Sequence, residues 1–73
     1  MRIDPKSFTQ RGEILSLHHC QPAYFRLGNT PATRDWVQIE NASSNNPNSR
    51  NCSQKIQIHK DTLKALLEAI NRR

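Results

Sequence analysis

The stretch KIQIHKDTLKALLEAINRR, residues 55–73, changes its period halfway along. Ile56 and Ile58 alternate with Gln57 and His59, the spacing of a strand with one buried face. Leu63, Leu66, Leu67 and Ile70 then fall at i, i+3, i+4 and i+7, one apolar stripe of a helix. A short strand therefore runs almost without a loop into a terminal helix. Asp61 lies near the helix start and Arg72 and Arg73 at its end, the polarity that the helix dipole favours.

Upstream, residues 41–54 (NASSNNPNSRNCSQ) are dominated by Asn and Ser with Pro47 in the middle. They are too polar to pack a core and read as a long flexible loop. Before them, RDWVQIE (34–40) is a strand with Val37 and Ile39 on one face and Trp36, Gln38 and Glu40 on the other. NTPAT (29–33) is a turn-rich link. AYFRLG (23–28) alternates cleanly, Ala23, Phe25 and Leu27 pointing one way and Tyr24 and Arg26 the other. Gln21-Pro22 separates it from GEILSLHHC (12–20), where Leu15 and Leu17 share one face and Ile14 and Ser16 the other, the pattern of a first strand. Residues 1–11 (MRIDPKSFTQR) show no period and read as a basic N-terminal arm.

The order predicts an α+β fold, a four-stranded antiparallel sheet followed by one C-terminal helix (ββββα). A single domain over residues 12–73 places the helix over the apolar sheet face. A chain of 73 residues buries only about 60% of its unfolded surface, and the apolar fraction here is 34%. Such a core needs a staple, a metal or a partner chain, and the expectation is a homodimer.

Net charge is +5, with eleven Lys and Arg against six acids. That field favours nucleic acid or an acidic protein surface, and it also suits a merely soluble basic protein. No apolar run approaches the length of about 20 residues that spans a membrane, and no hydrophobic signal segment opens the chain. The expected location is cytoplasmic, or nucleoid or nuclear, with no secretion and no membrane contact. Cys20 and Cys52 are then free thiols.

With Phe25, Leu27, Val37, Ile39, Ile56 and Ile58 facing inward, Tyr24, Arg26, Trp36, Gln38, Lys55 and Gln57 face outward. Aromatic planes on which bases stack, beside cations that track phosphate, are what single-strand binders use. Arg2, Lys6 and Arg11 of the arm and Arg50 of the loop extend that cationic track. Exposed Tyr and Trp equally suit a protein–protein interface.

His18, His19, Cys20, Cys52 and His59 raise the question of zinc, but no pair has the short C-x2-C or H-x3-H spacing of a ligand pair. Adjacent His18 and His19 on a strand point to opposite faces, so surface histidines are the simpler reading and no cofactor is expected. The acids Asp4, Glu13, Asp35, Glu40, Asp61 and Glu68 form no recognisable pairing. Gly12 and Gly28 are the only glycines and build no phosphate loop, so no enzyme is expected.

The pattern Ile56-x-Ile58 followed by Leu63, Leu66 and Ile70 resembles the closing strand and helix of the positive cofactor four family of transcriptional coactivators and the related Pur-type domains. Leu63 stands where that family carries an aromatic, and the approach NSRNCSQK keeps Arg50 and Lys55 but lacks the family's glycine. The resemblance implies a dimer that binds single-stranded DNA or RNA on its sheet without enzymatic activity. It makes Lys55 a backbone contact and places Ile56, Ile58, Leu63, Leu66 and Ile70 in the core or the dimer seam.

The sequence thus favours a single-stranded nucleic-acid-binding accessory protein of low sequence specificity, coactivator-like. The alternative is a small interaction module, inhibitor- or antitoxin-like, whose aromatic face docks on an acidic protein partner. A zinc-stabilised module using Cys20, Cys52 and one or two histidines is a third reading, and it would lose its fold to a chelator.

Overall fold

The computed structural model describes residues 1–41 and 54–73. The Asn/Ser-rich loop predicted over residues 41–54 therefore lies, apart from its two end residues, outside the described residues. Three strands and a helix follow one another: β1 (Ala23–Leu27), β2 (Trp36–Asn41), β3 (Lys55–His59) and α1 (Lys60–Asn71), preceded by a short 3-10 turn at Pro5–Ser7. The strands form one antiparallel sheet in the order β1-β2-β3. The architecture is a three-stranded antiparallel sheet followed by one C-terminal helix, an α+β fold.

The register follows the alternation in the sequence. Phe25 pairs with Ile39 and Ile39 with Ile56, while Leu27 pairs with Val37 and Val37 with Ile58. Directly opposed residues share a face, so these six side chains lie together. Tyr24, Glu40 and Lys55 form one row of the other face, and Arg26, Gln38 and Gln57 the next.

The passage from strand to helix is as abrupt as its period change. His59 is both the last residue of β3 and the helix N-cap, its Nδ1 accepting from the Asp61 amide at 3.1 Å. The helix start is also tied to the residue before β2: Lys60 donates its amide to the Asp35 carbonyl at 2.9 Å, and its ammonium lies 3.4 Å from the Asp35 carboxylate.

The fourth strand expected over Gly12–Cys20 is not among the strands of this structure. Ile14, Leu15 and Leu17 stand 79%, 98% and 85% exposed, and no ladder runs along them. A period-two pattern states which face a strand would bury, but it does not supply the neighbouring edge that completes the backbone hydrogen bonds. The open edge of β3 is instead partly taken by the start of the chain. The Gln57 amide donates to the Met1 carbonyl at 2.8 Å, the Ile3 amide donates to the Gln57 carbonyl at 3.0 Å, and Arg2 sits opposite Gln57 in a parallel bridge. Residues read as an arm thus begin as an edge of the sheet.

The helix was expected to cover the apolar face, and it does so only in part. It lies chiefly against β3. Ile58 is the one buried hydrophobic residue among those described, while Phe25 and Leu27 are 68% and 73% exposed and Leu67 and Ile70 59% and 63%. Among the described residues the apolar faces are therefore only partly closed.

Candidate nucleic-acid interface

The polar face is built across four lengths of chain. Arg26 of β1, Gln38 of β2, Gln57 of β3 and Arg2 of the N-terminal segment stand side by side in one row. Hydrogen bonds couple the row. Gln57 donates Nε2 to Gln38 Oε1 at 2.9 Å, Gln38 donates Nε2 to Glu40 Oε1 at 2.7 Å, and Arg26 donates Nε to the same oxygen at 2.7 Å. Each amide thus has a fixed orientation, and a cation closes the row at either end.

Trp36 opens β2 and stands beside this row. Its ring meets the His59 ring edge-on with centroids 5.1 Å apart, and the Arg2 guanidinium lies 5.8 Å from its centroid. The position of the indole is set by the turn before it. Thr33 donates its amide to the Thr30 carbonyl at 3.1 Å, the two threonine hydroxyls are 2.7 Å apart, and the Trp36 amide donates to the Thr33 carbonyl at 2.9 Å. Gly28 closes the turn from the other side. A Cβ there would fall inside the van der Waals radius of the Thr33 carbonyl group, so the close backbone approach requires glycine.

Between the turn and the row lies an open recess of about 320 Å³, whose walls include Arg2, Arg26, Trp36, Gln38, Gln57 and Asn29. It offers one aromatic ring, two guanidinium groups and three amides, a set suited to a flat, polar, anionic ligand. A small open recess of this kind, rather than a closed pocket, is what a strand of nucleotides passing over a sheet would meet.

Glu40 divides the two cations into unequal partners. Its carboxylate is buried, and hydrogen bonds from Arg26 and then Gln38 hold it below the usual glutamate range, with Arg26 and Lys55 adding favourable charge and desolvation opposing them. Arg26 spends its Nε on this ion pair while 61% of its side chain stays exposed. Among the described residues Arg2 has no such acid, and it stands over the indole. Charge available to phosphate therefore lies mainly with Arg2 and Lys55.

Of the residues selected from the sequence, the structure brings Arg26, Trp36, Gln38 and Gln57 to one recess. Tyr24 and Lys55 lie on the same face, in the row that holds Glu40, Tyr24 half-buried and Lys55 exposed. Arg50 lies outside the described residues. The sequence analysis counted Arg2 only as an extension of the track, because nothing in its spacing shows that the N-terminal residues pair with β3. It also left out Glu40, whose position is signalled by the same alternation that selected Gln38.

Among the described residues no three His, Cys, Asp or Glu side chains converge as metal ligands, and Cys20 is an exposed free thiol. Among the same residues no helix is long and apolar enough to cross a membrane. Compared with known proteins, the chain matches no family model, no curated protein and no solved structure.

Proposed function

We propose that this chain is a single-stranded nucleic-acid-binding accessory protein of low sequence specificity, acting inside the cell as a dimer in a coactivator-like role. The observation that carries the proposal is the recess in which Trp36, Arg2, Arg26, Gln38 and Gln57 meet. A base stacks on the indole, amides meet its edge, and Arg2 and Lys55 follow the phosphates. Every base has a π-face, so this chemistry discriminates little between sequences. The excess of +5 charge supports the same ligand, and the resemblance of Ile56-x-Ile58, Leu63, Leu66 and Ile70 to the positive cofactor four pattern agrees with it.

The dimer is supported by the surface that one copy leaves open. Phe25, Leu27, Leu67 and Ile70 are each more than half exposed. A second copy packed on these side chains would remove them from water. In the assembled protein the sheet gains its fourth strand, from Gly12–Cys20.

The test is fluorescence anisotropy of a labelled mixed-sequence single strand at two salt concentrations, with duplex of equal length as competitor. Binding that prefers the single strand and weakens as salt rises is expected, because phosphate contacts release counterions. Absence of binding at low salt would overturn the proposal and turn attention to an acidic protein partner.

A further inference from the structure

Three hydrogen bonds lay residues Met1–Ile3 along the outer edge of β3. Met1 donates from its nitrogen to the Lys55 carbonyl at 2.8 Å, and the Gln57 amide donates to the Met1 carbonyl at 2.8 Å. The Ile3 amide completes the set, donating to the Gln57 carbonyl at 3.0 Å. This is the evenly spaced pattern of a parallel pair, with Arg2 opposite Gln57. Arg2 therefore falls on the polar face, and Ile3, one residue on, falls on the apolar face, where it is half-buried. The segment has the same sidedness as the three strands. Asp4 ends it: its Oδ1 accepts from the Lys6 amide at 3.0 Å and its carbonyl from the Ser7 amide at 3.1 Å, which starts the 3-10 turn at Pro5–Ser7.

Arg2 owes its place in the recess to that ladder. Its guanidinium lies 5.8 Å from the Trp36 centroid, and among the described residues no side-chain hydrogen bond or ion pair holds it there. Arg26 differs, because it sits within the sheet on β1 and is held by Glu40. Three hydrogen bonds and one half-buried side chain are a weak tether, and segments held so lightly open locally at low cost. Opening carries Arg2 out of the recess. An anionic ligand that touches Arg2 there binds the docked form more tightly, and so shifts the segment towards it.

We propose that Met1–Ile3 is a positioning strand for the nucleic-acid face: its docking on β3 holds Arg2 over the Trp36 indole, and a bound single strand and the docked segment stabilise each other. The inference rests on the reading of the recess given above. It adds Ile3 as a positioning residue, which acts through its backbone amide and its apolar side chain. The reach of Arg2 to phosphate then depends on a contact made on the opposite face of the sheet from the ligand.

Two measurements on the full chain test it: anisotropy with a labelled mixed-sequence single strand, and amide exchange followed by NMR. Ile3→Pro removes the donor to the Gln57 carbonyl and sets a ring carbon in its place, so the segment cannot dock, while residue 2 stays extended. It should weaken binding by the same factor as Arg2→Ala and lower the salt slope by the same amount, about 0.7. The two effects should not compound, so the double variant should bind within about twofold of Arg2→Ala. Ile3→Val keeps the amide and the apolar branch and should bind as the wild type does. In the wild type, saturating single strand should slow exchange of the Ile3 and Gln57 amides by about fivefold or more. Unchanged binding and salt slope in Ile3→Pro, effects that multiply with those of Arg2→Ala, or exchange unaltered by the strand would each overturn the positioning role and leave the recess reading standing. A wild type that fails to bind at low salt would overturn both. Circular dichroism melts separate undocking from loss of fold, and if Ile3→Pro did not fold the wild-type exchange would decide.

Discussion

Replacing Trp36 by alanine separates stacking from simple charge attraction. The indole stands on the recess with Arg2 5.8 Å from its centroid and with His59 edge-on at 5.1 Å. One base stacked on such a ring contributes about 1–3 kcal/mol, so Trp36→Ala should weaken single-strand binding by about 5- to 150-fold. The same substitution removes an aromatic pair of about 0.5–1.5 kcal/mol and a cation–π contact of about 0.5–1 kcal/mol. Together these are about 1–2.5 kcal/mol, against a stability of about 4–11 kcal/mol for a domain of this size, so the variant should still fold. Trp36→Phe keeps a stacking plane and should lose less affinity than alanine. The assay is anisotropy with a labelled single strand, with circular dichroism melts of each variant as the control for folding. If Trp36→Ala kept its fold and bound within about twofold of the wild type, base stacking on this face would be refuted.

Four further outcomes follow from the same geometry. Arg2→Ala and Lys55→Ala should each reduce the slope of log affinity against log salt by about 0.7, the value per phosphate contact on a single strand, as measured by salt titration. Glu40→Gln removes the carboxylate that holds Arg26, and should strengthen binding and steepen that slope. The Glu40 carboxyl is held below the usual glutamate range in the folded protein, so its contribution to stability is full above that range and is lost as pH falls through the depressed value. Melting temperatures taken down through the carboxylate range should show this loss in the wild type and a smaller one in Glu40→Gln. Gly28→Ala forces a methyl group against the Thr33 carbonyl and should destabilise the protein by about 1–3 kcal/mol in urea unfolding.

Charges placed on the exposed stripe of α1 address the assembly separately from the recess. Leu67→Glu with Ile70→Glu puts two carboxylates on side chains that are already 59% and 63% exposed, so an isolated copy should tolerate them. If the stripe is part of the dimer seam, the double variant should sediment as a monomer, because burying unpaired charge in an interface is strongly unfavourable.

Local periodicity was sufficient for β1, β2, β3 and α1, and it assigned every side chain of the sheet to its correct face. Period two and period 3.6 are properties of neighbouring residues, and the register of Ile56 with Ile39 and of Ile58 with Val37 follows once those faces must coincide. Alternation likewise placed Trp36, Gln38, Arg26 and Gln57 together. What it could not contain is who supplies each edge. Backbone groups pair without regard to side chain, so nothing in MRI distinguishes an arm from a segment that bonds to Gln57, and nothing in GEILSLHHC guarantees a partner. Glu40 shows the same limit in electrostatics. Its position on the polar face was legible, but its capture of Arg26 depends on a distance of 2.7 Å between side chains on different strands. The elements and the sidedness of the sheet were legible from spacing, which is a local property. That Arg2 joins the recess, that Glu40 ties up Arg26, and that β1 has one open edge among the described residues became visible in the fold alone, because those depend on contacts between residues far apart in the chain.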